Sequence, residues 1–308
     1  MKINDAVKNP KKILFAIGMH GGFKFLNDRT YLKMMYWSGL GKKLNLDNPI
    51  TFNEKIQWLK IHNTDPVYTI MVDKYEVKKY VSNIIGEKYI IPTLGVWNHF
   101  NELDFDKLPN QFVLKCTHDS GGLVICKDKR KLNIKDAKKK LERSLKRNYY
   151  WIGRELPYKN VTPRIIAEPY MEDTIDRELR DYKFFVFDGV AKALYIASDR
   201  LNTEEETKFD FFDMEFNHLD FINGHPNNSF IPHKPKTFEK MKEFAEKLGT
   251  GFPHLRVDFY EVNGKTYFGE LTFAHWSGFI PFEPEEWDKK FGEWIKLPKL
   301  EHYNNGIK

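Results

Sequence analysis

The chain has 308 residues, of which 41% are hydrophobic and 15% aromatic, and its formal net charge is +6. This composition excludes a largely disordered chain, and the length is that of roughly two domains. Lysine and arginine are mostly interleaved with acidic residues, so the charge gives little reason to expect nucleic-acid binding. Two cysteines, Cys116 and Cys126, are too few for a disulfide framework, and we expect buried thiols in a cytoplasmic protein.

An apolar stretch near the N-terminus, Ile13 to Met19, follows Lys11-Lys12. It lacks the cleavage site of a signal peptide, and no apolar run reaches the roughly 20 residues needed to span a bilayer. The favoured interpretation is a helix packed on the domain. A helix that touches a membrane surface is the alternative.

Three helices are predicted before the strand-rich part. They cover "RTYLKMMYWSGLGKKLNL", "TFNEKIQWLKIHN" and "DKYEVKKYVSNIIG". Thr51 and Glu54 have the spacing of a capping box at the start of the second helix, and Gly86 ends the third.

From Phe112 onward, runs rich in β-branched and aromatic residues predict strands. "FVLKCTHDSGGLVICKD" reads as strand, loop and strand, followed by a basic helix and the strand "RIIAEPYM". The later strands predict an antiparallel sheet with turns at Asp188-Gly189 and Asn263-Gly264, interrupted by a helix that ends at Gly249. The predicted fold class is α+β.

The segment from Lys127 to Arg147 is strongly basic. Ala137, Leu141 and Leu145 form one apolar helical stripe, with lysines and arginines around the rest. A solvated helix face explains this pattern. A surface for an acidic polymer or a phosphorylated carrier is the other interpretation.

The loop Ser120-Gly121-Gly122 allows backbone N–H groups to approach an anion, and Lys115 precedes it on the strand. A phosphate cradle and a plain hairpin turn both fit these residues. His118 and Asp119 are interpreted as hydrogen-bonding loop residues rather than catalysts.

Asp258 and Glu270 are two carboxylates near the ends of paired strands, a combination that a bound cation stabilises. With no cluster of cysteine and histidine, Mg²⁺ is favoured over zinc. Pairing of one carboxylate with Arg256 is the alternative.

The loop length of this hairpin decides whether the two carboxylates share a face. A two-residue loop would place Asp258 opposite Gly269 and turn Glu270 to the other face. We therefore predict a three-residue loop with Gly264 left-handed, which places Glu270 across from Arg256. Arg256 would then help to hold a transferring phosphoryl group.

Further charged residues lie on otherwise apolar strands, and edge-strand surface positions explain each of them singly. They are Asp181 and Lys183, Glu168, and Asp199-Arg200. Taken together, basic groups for phosphates and acidic groups for a metal predict a nucleotide site.

Several segments in order resemble the ATP-grasp superfamily. They are Lys74 in "DKYEVKKYV", Lys115 in "FVLKCTHDSGG", "AEPYM", "DYKFFVFDG", "SDR" and "RVDFY...YFGELTF". "NPITFNEKIQWLKIHN" and "DYKFFVFDG" make the chain similar to the TupA-like branch, from about Thr30 to Phe282. The resemblance implies a helical region at residues 1–110, a lid at 111–167, and an antiparallel-sheet domain with a C-terminal helix at 168–308, with nucleotide between the last two.

The resemblance also implies dependence on ATP and Mg²⁺, with roles assigned by motif. Lys74 and Lys115 would contact the α- and β-phosphates, and the loop from Ser120 through Gly121 to Gly122 would close over them. The remaining roles are adenine binding by Glu168, Pro169, Tyr170 and Met171, ribose binding by Asp173 or Asp176, metal binding by Asp258, Glu270 and Thr272, and catalysis by Arg256, Lys183 and Arg200.

The implied reaction is that of a carboxylate–amine ligase: the γ-phosphoryl group moves to a carboxylate, and an amine attacks the acyl phosphate. Many superfamily members have Glu-x-Asn where this chain has Glu270-Leu271-Thr272. Threonine is a weaker metal ligand than asparagine, which places occupancy of a second metal in question. TupA-like sequences commonly share the threonine.

The TupA-like branch is associated with bacterial surface polysaccharides and teichuronopeptide. This implies an amide between a uronic acid carboxyl, carried by an acidic sugar, sugar nucleotide or lipid-linked saccharide, and an amino acid or small amine. His275, Trp276 and Ser277 follow the metal strand and are candidates for substrate recognition, although a core tryptophan and a capping serine also explain them.

Two other functions are alternatives to the ligase. A glycosyltransferase of capsule synthesis would use "DFD" at Asp104 to Asp106 as a metal–diphosphate motif, but Asp-x-Asp is common by chance. A non-catalytic polyanion-binding module would use the basic helix and leave Lys115, Asp258 and Glu270 unexplained.

Overall fold

The computed structural model describes residues 10–174, 179–198 and 206–299. The helices are α1 (Pro10–Met19), α2 (Asp28–Leu40), α3 (Phe52–His62), α4 (Val67–Val72), α5 (Glu76–Ile85), α6 (Ile134–Leu145), α7 (Tyr150–Gly153), α8 (Phe238–Gly249) and α9 (Glu286–Trp294). The strands are β1 (Gly95–Trp97), β2 (Phe112–Cys116), β3 (Leu123–Cys126), β4 (Ile165–Pro169), β5 (Asp181–Phe187), β6 (Val190–Ser198), β7 (Lys208–Phe212), β8 (His218–Leu219), β9 (Leu255–Val262) and β10 (Lys265–Thr272). The α+β class is confirmed.

The strands form two antiparallel sheets. The small sheet has the order β1-β4-β2-β3, and the large sheet has the order β10-β9-β5-β6-β7-β8. Helix α6 covers one face of the small sheet through Ala137 and Leu141. The predicted unit of strand, loop, strand, helix and strand is confirmed, and β1 adds a strand from before residue 111. The domain boundaries themselves stay a prediction.

Local sequence signals set the ends of several helices. Thr51 and Glu54 form the predicted capping box at the start of α3, and Gly86 caps α5. Helix α1 packs through Phe15 and Met19 on the core. Among the residues described, no helix is long and apolar enough to cross a membrane.

The two faces of the large sheet have different partners, because side chains alternate along each strand. One face packs on α5 and α8 through residues such as Phe184 and Val257. The other face packs on α2, α3 and α9 through residues such as Phe185 and Phe211. At its far end this second face becomes polar, and there it carries Lys183.

The β9–β10 hairpin differs from the predicted one. Val262 pairs with Lys265, so the loop has two residues, Asn263 and Gly264, each with positive φ. The predicted three-residue loop is therefore wrong. A β-bulge between Phe268 and Glu270 makes Gly269 the extra residue and places Glu270 opposite Asp258, not opposite Arg256. The bulge brings the two carboxylates to one face.

Helix α9 meets the start of α3 at very close range. A Cβ atom at Gly292 would lie 2.3 Å from the carbonyl oxygen of Ile50 and 2.7 Å from the backbone nitrogen of Phe52. These are backbone atoms, which cannot move aside as a flexible side chain can. Glycine is required here by the packing of two helices.

We expect Gly292→Ala to lower the free energy of unfolding by about 1–3 kcal/mol, because the added methyl group forces α9 away from α3. Urea unfolding followed by tryptophan fluorescence measures this change. Glu293→Ala, at an exposed position of the same helix, is the control and should stay within about 0.5 kcal/mol of the wild type. Equal stability of Gly292→Ala and the wild type would contradict the packing argument.

Candidate functional site

A cavity of about 710 Å³ lies between the small sheet and the polar end of the large sheet. This volume is within the range of ligand pockets, roughly 300–1,000 Å³. One part of its wall is apolar and includes Ile90, Ile125, Met171 and Leu179, and the other part is strongly charged. A ligand with a flat apolar group and an anionic group fits this division.

One buried carboxylate of the small sheet, Glu168 of β4, holds two lysines at the cavity, Lys115 of β2 and Lys78 of α5. Glu168 accepts from Lys115 Nζ at 2.5 Å and forms an ion pair with Lys78 Nζ at 2.6 Å. Burial alone would raise the pKa of Glu168, but the two ammonium groups outweigh burial and lower it. Glu168 is therefore ionised and holds both lysine ammonium groups at the cavity wall.

The glycine loop between β2 and β3 is tied to its surroundings by Asp119. The Asp119 carboxylate accepts from Gly122 N at 3.1 Å and from the Ser144 hydroxyl. The backbone carbonyl of Asp119 accepts from Lys74 Nζ at 2.8 Å. The N–H of Gly122 is thus already used inside the loop. Ser120 and Gly121 border the cavity beside it.

Gly121 and Gly122 are glycines for different reasons. A Cβ at Gly122 would lie 2.7 Å from Cys116 Sγ, whereas a Cβ at Gly121 would meet nothing within 4 Å. Packing therefore requires glycine at residue 122. At residue 121 the space around an added Cβ is open, and the residue borders the cavity. His118 is buried and its Nε2 contacts Ser144 O at 3.1 Å, as expected of a hydrogen-bonding loop residue.

On the large sheet, three charged residues form one row across neighbouring strands. Lys183 of β5 pairs with Asp258 of β9, which pairs with Glu270 of β10. Lys183 Nζ binds the Asp258 carboxylate and lies 3.2 Å from Asp181 Oδ1. Lys74 Nζ binds Glu270 Oε1 at 2.9 Å. Each carboxylate in the row has a basic partner.

Asp258 is also held by Arg256 in a bidentate pair. Arg256 Nε donates to Asp258 Oδ1 at 2.8 Å, and Nη2 donates to Oδ2 at 2.9 Å. Burial would raise the pKa of Asp258, but Arg256 and Lys183 outweigh it and the pKa is lowered. The pKa of Glu270 is lowered in the same way, against burial, chiefly by Lys74. Pairing of one carboxylate with Arg256 was the alternative expected from the sequence, and Asp258 forms this pair.

The donor set fits Mg²⁺ only with ligands from outside the chain. No group of three cysteine, histidine or acidic side chains suited to a metal occurs within residues 10–174, 179–198 and 206–299. Asp258 and Glu270 offer two opposed carboxylates with further lone pairs, and Mg²⁺ typically combines one or two carboxylates with substrate phosphates. The residues present fit such a shared ion.

Thr272 lies opposite Arg256 in the hairpin, and its hydroxyl accepts from Arg256 Nη2 at 2.9 Å. Arg256 and Thr272 lie beside the charged row rather than in the cavity wall, where Asp258 and Glu270 are. In this structure Thr272 supports the arginine. Its role as a metal ligand stays a prediction.

The three residues expected to recognise substrate do not line the cavity. His275 is 2% exposed and contacts Arg256 Nη1 through Nδ1 at 2.8 Å. Ser277 donates to Glu155 Oε1 at 2.5 Å. Trp276 is 38% exposed and stacks on Phe209, with ring centroids 6.0 Å apart. His275 and Ser277 thus contact other side chains near the site and not the cavity itself.

The residues from Pro169 onward that are expected to bind adenine and ribose lie in different places. Pro169, Tyr170 and Met171 line the cavity. Asp173 instead accepts from Asn263 N at 2.7 Å and so joins this segment to the β9–β10 turn. Two further candidates, Asp176 and Arg200, lie outside the described residues, as does Asp199.

The structure adds cavity residues that the sequence reasoning missed. Lys78 lies four residues after Lys74 and reaches the same cavity, so the spacing of one helical turn was an available signal. Lys127 and Lys140 of the basic segment also line it. The basic helix is thus partly a wall of the cavity and partly solvated surface.

We expect Asp258→Asn to destabilise the protein by about 3 kcal/mol at pH 7, because Arg256 and Lys183 would lose their common buried counter-charge. The pKa of Asp258 is lower in the folded state, so its ionised carboxylate stabilises the fold above about pH 4 and this stabilisation is lost as the pH falls further. Urea midpoints of variant and wild type should therefore differ at pH 7 and pH 5 and converge below pH 4.

Asp106→Asn, at an exposed position, is the control for this measurement and should change stability by less than about 0.5 kcal/mol. A gap between wild type and Asp258→Asn that widens on acidification would contradict the assigned ion pairs.

Comparison with known proteins identifies the family. The model of the family described as TupA-like ATPgrasp matches residues 54–296. No curated protein matched the chain.

Among solved structures, D-alanine-D-alanine ligase from Helicobacter pylori is 15% identical, with a TM-score of 0.43 over 80% of this chain and 69% of that one. L-amino acid ligase from Bacillus licheniformis is 12% identical, with a TM-score of 0.44 over 71% of this chain and 47% of that one. The ATP-grasp ligase PsnB, in complex with a minimal precursor, Mg and ADP, is 12% identical, with a TM-score of 0.40 over 96% and 75%. These likenesses concern the fold alone. Because the family model covers most of its length, the chain belongs to the TupA-like ATP-grasp family.

Proposed function

We propose that this protein is an ATP- and Mg²⁺-dependent ligase that joins a carboxylate to an amine and releases ADP. The observation that carries the proposal is the cavity, where a glycine loop and lysines face the row Lys183, Asp258 and Glu270 across an apolar pocket. Family membership is the second support.

ATP would lie with its adenine in the apolar part of the cavity, against Pro169, Tyr170 and Met171. Its phosphates would meet Lys74 and Lys115, the two lysines assigned by motif. A lysine ammonium group is a strong phosphate donor, and the pairing of Lys115 with Glu168 holds it in place before nucleotide binds.

Asp258 and Glu270 would hold Mg²⁺ together with phosphate oxygens, and Thr272 is the third candidate ligand. The ion would supply charge neutralisation for the transferring phosphoryl group. Glu270 now binds Lys74 Nζ at 2.9 Å, so a phosphate that attracts Lys74 would release this carboxylate for the metal.

A carboxylate is a poor electrophile, and its phosphorylation creates a leaving group that an amine can displace. The carboxylate oxygen attacks the γ-phosphorus, ADP departs, and the amine then attacks the acyl carbon and displaces phosphate. Arg256 and Lys183 lie beside the Asp258 carboxylate and would spread the developing negative charge, with Arg200 as a third candidate. A site closed between the two sheets would exclude water from the acyl phosphate.

For the substrate, we propose a uronic acid of a bacterial surface polysaccharide, such as a capsule, carried on a sugar nucleotide or lipid-linked saccharide, and an amino acid or small amine. Lys127 and Lys140 add to the positive charge of the cavity wall. A positive wall favours an acidic sugar. Of the three residues expected to recognise substrate, Trp276 stays the candidate, because His275 and Ser277 are buried and bind Arg256 and Glu155.

The proposed location is the cytoplasm, with peripheral membrane contact. The free and buried thiols of Cys116 and Cys126 support the first. Ile13 and Ile17, 38% and 46% exposed on α1 beside Lys11 and Lys12, support the second.

The Asp104 to Asp106 motif gives little support to the glycosyltransferase alternative. Asp104 accepts from Asp106 N at 3.1 Å in a surface turn and pairs with Lys107, and neither aspartate lines the cavity.

We expect Mg-ATP and Mg-ADP to raise the thermal midpoint of the purified protein, because a ligand that binds only the native state stabilises it. The Mg²⁺-dependent part of the shift should disappear in Glu270→Ala, which lacks one of the two opposed carboxylates. A panel of UDP-sugars should give no shift. A shift with UDP-sugars alone would transfer the proposal to glycosyl transfer.

We expect Lys115→Ala to weaken Mg-ADP binding by at least tenfold, because a hydrogen bond to a charged group contributes about 1.5–3 kcal/mol. Isothermal titration calorimetry gives the affinity. Lys139→Ala, at an exposed position of α6 next to the cavity-lining Lys140, is the matched control and should bind like the wild type. An unchanged affinity in Lys115→Ala would remove Lys115 from the phosphate site.

A further inference from the structure

The Arg256 guanidinium is held by more than its carboxylate partner. Its Nε and Nη2 groups bind Asp258, and Nη2 also donates to Thr272. The remaining nitrogen, Nη1, lies 2.8 Å from Nδ1 of His275. A guanidinium can only donate hydrogen bonds, so Nδ1 of His275 must carry a lone pair and no proton.

The other ring nitrogen of His275 satisfies this requirement. His275 Nε2 lies 2.8 Å from Oδ1 of Asn223, while Asn223 Nδ2 donates to Pro281 O at 2.9 Å. The amide oxygen of Asn223 therefore faces His275 and accepts a hydrogen bond from Nε2–H. Asn223 selects the one imidazole tautomer that can accept from Arg256.

The surroundings keep His275 neutral and in place. His275 and Asn223 are 2% and 1% exposed, and burial, followed by the charge of Arg256, lowers the pKa of His275 well below its usual value. A neutral imidazole is the form required by a cationic partner.

The backbone after His275 is held by helix α3. Trp276 and Ser277 have φ of 49° and 55°, a strained conformation for residues with a side chain. Gln57 Nε2 donates to Ser277 O at 2.9 Å and to Gly278 O at 2.8 Å, and Lys60 Nζ donates to Ser277 O at 2.6 Å. These contacts stabilise the turn that carries His275.

We propose that His275 and Asn223 are positioning residues for the phosphate and metal end of the site. Asn223 sets the tautomer of His275, His275 holds Nη1 of Arg256, and Arg256 presents the Asp258 carboxylate through its bidentate pair. This inference rests on the proposed function for the role of Asp258 in Mg²⁺ binding, while the tautomer follows from the hydrogen bonds alone.

The tautomer is tested by ¹⁵N nuclear magnetic resonance of histidine-labelled protein at pH 7.5, with the His275 signals assigned from their loss in His275→Asn. The expected spectrum shows Nε2 protonated and Nδ1 unprotonated. Asn223→Leu should shift the Nε2 resonance, because the Nε2–H group loses its hydrogen-bond acceptor. A His275 ring protonated at Nδ1 in the wild type would overturn the proposal.

The positioning role is tested by calorimetry, which compares the Mg-ADP affinities of three variants. His275→Leu should weaken Mg-ADP binding about tenfold and leave metal-free ADP binding unchanged, because Arg256 and then Asp258 lose their orientation. His275→Asn places an amide oxygen near the former Nδ1 and should restore affinity to within about threefold of the wild type. Restoration by an acceptor is not expected of a residue that only fills space.

His254→Leu is the matched control. His254 is also buried and packs on Phe185 with ring centroids 5.9 Å apart, as His275 does at 5.0 Å, but its two ring nitrogens have no hydrogen-bond partner among the described residues. It should bind Mg-ADP like the wild type. An equal loss in His254→Leu, or no loss in His275→Leu, would overturn the positioning role.

The two proposals fail separately. A wild type that binds no Mg-ADP refutes the proposed function, and the histidine spectrum still decides whether Asn223 and His275 hold Arg256 in the way described.

Discussion

The Arg256–Asp258 ion pair is the interaction around which the site is arranged. Both side chains are buried on a sheet that elsewhere forms the hydrophobic core, and a buried charge is stable only when paired and hydrogen-bonded. Asp258 therefore pairs with Arg256 and Lys183, and Arg256 in turn forms hydrogen bonds with Thr272 and His275. Each partner that compensates one buried charge fixes the geometry of the next.

One face of the large sheet contributes both to the hydrophobic core and to the cavity wall, because different cross-strand rows of its side chains have different neighbours. The row of Phe185 continues into the aromatic core under α2, α3 and α9, while the row of Lys183 opens to the cavity. The small sheet closes the cavity from the other side, where Glu168 separates two lysines that would otherwise repel each other. Internal ion pairs thus compensate much of the charge of the site.

Features that depend on neighbouring residues in the sequence agree with the predictions better than features that depend on the pairing of strands. The capping box at Thr51 and the turn at Asn263-Gly264 depend on residues within a few positions of one another, and both were found where predicted. The shared face of Asp258 and Glu270 was also predicted, but the prediction attributed it to a three-residue loop instead of a β-bulge. A two-residue loop and a bulge at Gly269 give the same parity as a three-residue loop, so parity alone could not distinguish them. Lys78 was missed because its neighbour Lys74 already satisfied the motif.

The sequence by itself determined the α+β class, the helix caps, the presence of a glycine loop near Lys115, and membership of a family whose motifs follow in order. These properties depend on composition, periodicity and short-range spacing. Only the tertiary structure decided that His275 supports Arg256, that Ser277 binds Glu155, and that Asp173 joins a distant turn. These contacts join residues that are 19, 122 and 90 positions apart. No local pattern encodes such pairings, because they arise only when separate strands and helices pack together and buried polar groups must find partners.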